Sequence, residues 1–183
     1  MKIAIDLDDV LVRINIIEGV LRDMNIPLKR NEIKSYGFYE LPEKARKEVW
    51  RRFKMRKYMV DQAKPIRGTK KKMKEWAREG HEMFCLTSRD DKIAKATKAF
   101  VKKEFPLIQD TLVLNGTKKE ALLRGGFDVL IDDALKYMNE ALSVGVAAIL
   151  ISNQHTPYNW DRTSDDLPAF EALANVNLSV VSK

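Results

Sequence analysis

The chain opens MKIAIDLDDVL (Met1–Leu11), and the reading of this stretch decides the fold. The apolar run Ile3, Ala4, Ile5, Leu7 carries the chain into a core and delivers three carboxylates, Asp6, Asp8 and Asp9. Alternate residues of a strand share a face, so Asp6 and Asp8 point the same way at the strand's end. Two carboxylates that close repel by on the order of a few kcal/mol at an effective dielectric near 20. They stay ionised together only with a cation between them; otherwise one takes up a proton. The stretch therefore reads as a metal site on the first strand of an α/β sheet. The plainer alternative is an acidic strand-to-helix loop with Asp9 as a helix cap.

Composition sets the frame for this site. At 183 residues the chain is sized for one domain with a small insertion and is long enough to bury a core. Its 45% hydrophobic and 32% charged content is that of a water-soluble globular chain. No apolar run approaches a bilayer span, and no cleavable signal pattern precedes the first strand, which predicts a cytoplasmic protein. The single cysteine, Cys85, lies in an apolar run and reads as a buried strand thiol rather than a nucleophile. His81 and His155 form no zinc-binding spacing, and both are expected at the surface. The net charge of +7 is concentrated between Leu28 and Gln62, where 11 Lys and Arg stand against 5 Asp and Glu. Such asymmetry points to an anionic partner met by this one segment, with a solvated helix face as the alternative.

Read outward from the first strand, the chain alternates. Apolar residues from Val10 to Met24 follow helical spacing and stop at Pro27. Leu28 to Gln62 is basic and aromatic without a strong strand, and Pro42 to Tyr58 reads as one helix. This predicts a small helical insertion over 28–62, with the main body formed by 1–27 and 63–183. Further helices are expected over Thr69–Glu79, Lys92–Phe105, Thr117–Leu123 (with a capping box from Thr117 to Glu120) and Ala134–Leu142. Strands are expected over His81–Thr87, Thr111–Leu114, Phe127–Ile131 and Val146–Ile151, and a short helix near Leu167–Ala174. The alternation predicts an α/β, Rossmann-like, mainly parallel sheet flanked by helices. Ligands of such sheets sit beyond the carboxyl ends of the strands.

The polar residues at those ends form a set. Asp6 and Asp8 end the first strand, Thr87 and Ser88 the next, and Asp132 and Asp133 a later one, while Lys118 starts a helix after another. A lysine in the first turn opposes the helix dipole, so an anion is expected to compensate it. Taken singly, Thr87-Ser88 and Asp132-Asp133 also serve as helix caps and Lys118 as an exposed lysine. Taken together they suit phosphoryl transfer. A carboxylate attacks phosphorus, a hydroxyl and a backbone N–H hold phosphate oxygens, and a lysine with a divalent ion offsets the developing charge. All-oxygen ligation suits Mg²⁺.

Asp6-Leu7-Asp8-Asp9-Val10-Leu11, Thr87-Ser88-Arg89, Lys118 and Leu130-Ile131-Asp132-Asp133 resemble, in order, the four motifs of the haloacid dehalogenase-like phosphatase superfamily. The closest flavour is that of the 5′(3′)-deoxyribonucleotidases, which also carry a small helical cap between the first and second motifs. The resemblance covers residues 1 to 155. It implies that Asp6 is the nucleophile and a metal ligand, and that Asp8 is the acid–base residue and binds metal through its backbone carbonyl. It further implies that Asp133 completes the metal ligands with Asp132 alongside or in its place, that Thr87 and the Ser88 backbone hold phosphate, and that Lys118 neutralises phosphate and nucleophile. Three positions depart from the family pattern. Asp9 replaces the common glycine, adding a carboxylate near the metal or a helix cap. Arg89 stands where proline is common and is an added phosphate or substrate contact. The long spacing to Asp132 leaves Lys119 as the fallback for Lys118.

These readings predict a Mg²⁺-dependent phosphatase that acts through an aspartyl-phosphate on a 5′(3′)-nucleoside monophosphate, ribo or deoxyribo. The expected partner is a small anionic phosphorylated molecule, with nucleic acid less favoured and no membrane. The alternatives are a nucleic-acid end phosphatase and, in another class, a non-catalytic phospho-receiver or nucleic-acid-binding domain.

Overall fold

Ile3, Ala4 and Ile5 have no exposed surface because the strand they form (β1, Lys2–Ile5) is hydrogen-bonded on both edges. A computed structural model describes residues 1–114, 116–153, 156 and 167–181. In it β1 pairs in parallel with β4 (Glu82–Thr87) and β6 (Val129–Asp132). Outside these lie β5 (Ile108–Val113) on one edge and β7 (Ala147–Ile151) then β8 (Ala169–Phe170) on the other. The order is β5-β4-β1-β6-β7-β8, and every pairing is parallel.

Both faces of a parallel sheet must be covered, and the period of two along β1 shows how. Ile3 and Ile5 join a cluster with Met73 and Trp76 of α4 (Thr69–Arg78) and Val101 of α5 (Ala94–Glu104). Ala4 points the other way, to Leu122 of α6 (Lys119–Gly125) and Met138 of α7 (Leu135–Leu142). Gly68, just before α4, has φ +89, and a Cβ there would lie 2.8 Å from Cβ of Ala174, so the turn needs glycine for both conformation and space.

The chain between β1 and α4 differs most from the sequence expectation. Helical spacing from Val10 predicts a helix there, but Val10, Leu11 and Val12 are buried on all sides. The chain instead makes a tight turn onto the Leu7 carbonyl (Val12 N, 2.9 Å; Leu11 N, 3.0 Å). A two-residue strand, β2 (Val12–Arg13), then pairs antiparallel with β3 (Lys64–Pro65), and α1 begins only at Ile16 (Ile16–Asp23). The excursion between β2 and β3 therefore runs from Ile14 to Ala63 and includes α1 as well as residues 28–62. Beyond α1 come α2 (Glu43–Phe53) and α3 (Arg56–Met59) in place of one helix over Pro42–Tyr58. Val49 and Phe53 set an apolar stripe whose next helical positions are the charged Arg56 and Lys57. The chain breaks at the extended Met55 and re-aims, burying Met59 and Val60.

The short helix expected near Leu167–Ala174 is absent. Ala169–Phe170 instead extends the sheet, fixed by Leu150 N to Pro168 O at 2.9 Å and Ser152 N to Phe170 O at 2.9 Å, and 3₁₀ turns follow at Leu173–Asn175 and Leu178–Val180. Cys85 is buried as expected. His81 lies at the opposite end of β4 from Thr87, against the N-terminal amine (3.1 Å), and His155 is outside the described residues. No helix among the described residues is long and apolar enough to cross a membrane.

Candidate active site

The parallel strands release Asp6, Thr87 and Asp132 at one end of the sheet. Asp6 prolongs the β1–β6 ladder by donating its N–H to Ile131 O at 2.8 Å, and Thr87 and Asp132 are the last residues of β4 and β6. Carboxylate oxygens of Asp6, Asp132 and Asp133, all buried, lie within 4.8 Å of one another. The Lys118 ammonium, with no exposed surface, donates to Asp6 Oδ1 and, at 2.6 Å, to Asp132 Oδ2. Lys119 is exposed, so Lys118 is the lysine that the fold delivers to the cluster.

Burial pushes the Asp6 carboxyl well above the ordinary carboxylate range; Lys118 pulls it down, and Asp132 and Asp8 push it further up. For Lys118, burial works against the charge, but Asp132 and Asp6 outweigh it and hold the ammonium protonated. Three carboxylates facing one lysine leave an excess of negative charge among oxygen donors only. That donor set fits a hard divalent cation, with Asp6, Asp133 and Asp132 as the residues able to hold it. Asp132 is engaged through both oxygens: Oδ2 takes Lys118 and Oδ1 takes Ala134 N at 3.0 Å.

Asp8 lies outside this triad. Its two oxygens are gripped by Arg89, from Nε at 2.9 Å and Nη2 at 2.6 Å, and Arg89 Nη1 reaches Thr97 Oγ1 at 3.4 Å. The guanidinium expected to meet phosphate or substrate is thus engaged by a carboxylate, with its side chain 1% exposed. Thr87 and Ser88 do not cap the helix that follows them; Asp90 does, accepting Lys92 N at 2.9 Å. Asp9 does not cap α1 either. It sits at φ +57, which explains why glycine is common at this position and why aspartate is tolerated. Its carboxyl is raised to about 7 by burial, which Arg13 (3.4 Å) and Arg30 only partly offset.

Two residues escaped the sequence reading. The expected capping box at Thr117 is replaced by Glu140 of α7. One Glu140 oxygen accepts from Thr117 Oγ1 (2.9 Å), Lys118 N (2.7 Å) and Lys119 N (3.1 Å). Tyr137, one turn earlier on α7, lays its ring 4.6 Å from the Lys118 ammonium and donates its hydroxyl to Gly116 O at 3.3 Å. A helix begun at Leu135 swings its first turn back over its own N-terminus, so Tyr137 carried a usable signal; Glu140 had none.

The cluster opens into a cleft of about 320 Å³. Asp6, Asp8, Ser88, Asp133 and Tyr137 line its sheet end, and Tyr36, Phe38, Trp50 and Phe53 line it from the inserted segment. Trp50 packs on Phe38 and Phe53 with centroids 5.2 and 5.6 Å apart. The sequence profile of the family described as 5′ nucleotidase, deoxy (pyrimidine), cytosolic type C protein matches residues 1–166. The chain belongs to this family.

Solved structures agree on the fold. A putative phosphoglycolate phosphatase from Lactobacillus delbrueckii subsp. bulgaricus superposes with a TM-score of 0.66 at 10% identity, covering 100% of this chain and 98% of that one. A phosphonoacetaldehyde hydrolase-like protein from Oleispira antarctica gives 0.64 at 12% identity over 98% and 90%. A haloacid dehalogenase-like hydrolase from Streptococcus pneumoniae gives 0.60 at 16% over 92% and 92%. No curated protein sequence matches the chain. This 5′-nucleotidase-family chain is thus a phosphatase of the haloacid dehalogenase-like superfamily, a phosphoric monoester hydrolase, and not a receiver domain.

Proposed function

We propose that the protein hydrolyses a nucleoside monophosphate, ribo or deoxyribo, through an aspartyl-phosphate on Asp6, with Mg²⁺ as its metal. The observation that carries this reading is the buried Asp6–Lys118–Asp132–Asp133 cluster opening into a cleft walled by aromatic rings. A phosphate bound at the cluster places its base against that wall.

An Asp6 oxygen attacks phosphorus, and the P–O bond to the nucleoside breaks as Asp8 gives a proton to the departing oxygen. Asp8 then takes a proton from the water that attacks the aspartyl-phosphate, releasing phosphate and restoring Asp6. Arg89 fixes the plane of Asp8 through both oxygens. Thr87 and the Ser88 N–H hold phosphate oxygens, and Lys118, positioned by Asp132, offsets charge on Asp6 and the phosphoryl group. Asp6, Asp133 and the Asp8 carbonyl would hold Mg²⁺, which when bound would supply electrostatic stabilisation of that charge. In this reading the segment between β2 and β3 is the cap over the site.

Phosphate release from ribo- and deoxyribonucleoside monophosphates and sugar phosphates tests the reading. Release from nucleotides with Mg²⁺, its loss in EDTA and its absence in Asp6→Asn are expected. Equal release in EDTA overturns the metal assignment; no release from any nucleotide overturns the substrate class.

A further inference from the structure

We infer that the inserted segment carries a platform for single-stranded nucleic acid leading into the cleft, making the phosphate on a strand end a further substrate. Only the catalytic half of this inference rests on the proposed phosphatase reading. Every exposed aromatic side chain among the described residues lies on this one segment: Tyr36 (49%), Trp50 (43%) and Tyr39 (74%). Tyr36 and Trp50 line the cleft, whereas Tyr39 lies outside it with the Arg46 guanidinium 5.4 Å from its ring. Helical spacing puts Arg46, Trp50 and Lys54 on one stripe of α2 and its end. Trp50 and Lys54 open to the cleft, and Arg46 continues the stripe beyond it.

The charges of the segment favour an anion along this stripe. The five acidic residues between Leu28 and Gln62 are all engaged locally: Glu32 by Lys29 N, Glu40 by Ser35, Glu43 by Lys47, Glu48 by Arg51 and Arg52, and Asp61 by Arg56. A mononucleotide uses one ring and one phosphate site, which the cleft supplies by itself. Tyr39 and Arg46 are surplus to that need. Rings interleaved with cations along a path are what successive bases and phosphates of a single strand require.

The test uses the full chain and a fluorescein-labelled oligothymidylate of about eight nucleotides, within the span that such surfaces cover. With about three cations engaged, affinity should fall roughly 15-fold between 50 and 200 mM salt. The double variant Tyr39→Ala/Arg46→Ala should weaken binding about tenfold or more, leave the melting temperature within a few degrees and leave mononucleotide turnover unchanged. An oligouridylate arm assigns the strand as DNA or RNA by the tighter binder. Absence of salt-dependent binding, or equal binding by the double variant, overturns the platform. Terminally phosphorylated strands complete the test. Hydrolysis of mononucleotides but not of strand ends removes the strand end as substrate. Strand binding without phosphate release from any nucleotide or strand end removes the proposed nucleotide hydrolysis and leaves the platform standing.

Discussion

Lys118 is an ammonium with no access to water, a placement that costs several kcal/mol unless the charge is matched. Asp6 and Asp132 match it, and Tyr137 shields its remaining face. Replacing Lys118 by Met leaves two buried carboxylates facing each other. Turnover is expected to fall by about 10² or more, as for loss of one group that stabilises developing charge. Lys118→Met should also melt lower than wild type in EDTA and recover part of the loss in Mg²⁺, read by calorimetry with and without metal. Spacing alone could not separate Lys118 from Lys119; burial of one and exposure of the other does. Asp9 gives a second residue-scale test. Its folded pKa, about 7, lies above the ordinary 3.8, so the unfolded chain releases this proton first as pH rises. The associated stability is present below pH 4 and is lost as pH rises to 7, by on the order of 4 kcal/mol at most. Asp9→Asn keeps a residue that tolerates positive φ and removes the titration. Its melting temperature should fall less from pH 4 to 7 than that of the wild type, since Asp6 still titrates in both, and parallel curves would count against this account.

Among the elements, α1 and α2 are joined by one partly buried arginine. Arg52 reaches Glu48 at 2.7 Å within α2 and Asp23 at 2.9 Å at the end of α1, with its guanidinium 4.8 Å from the Tyr58 ring. Arg52→Ala should destabilise the protein by about 1–3 kcal/mol, because two carboxylates lose a charged partner and a cavity opens beside Tyr58. Chemical denaturation measures this, and a change under 0.5 kcal/mol (about the spread of neutral surface substitutions) would show the bridge to be idle. The central strands were legible because fully buried runs such as Val129–Ile131 end abruptly in carboxylates, and so was the clustering of polar residues at those ends. The ribbon of β2 and β3 was not, since two residues make no pattern. Glu140 was hidden for another reason: it caps a helix other than its own, from 22 residues away, and local sequence carries no record of such a contact.

For the molecule as a whole, three buried carboxylates around one lysine form a store of repulsion that a divalent ion relieves. Millimolar Mg²⁺ should raise the melting temperature by several degrees, since 100-fold excess over the dissociation constant is worth about 2.7 kcal/mol. Asp133→Asn should abolish most of the rise while folding normally. An undiminished rise in that variant would place the ion elsewhere.

The two-residue ribbon also brings the two ends of the excursion side by side. Arg13 and Lys64 face each other across β2 and β3, so their backbones are a single tight turn apart although fifty residues intervene. An Asn-Gly graft between them would close a hairpin of the favoured type and excise the whole excursion. Once the bared apolar side chains are made polar, the trimmed chain should still cleave a minimal phosphate ester while losing all discrimination among leaving groups. Chemistry and selectivity would then be transplantable parts, joined at a seam that the fold already provides.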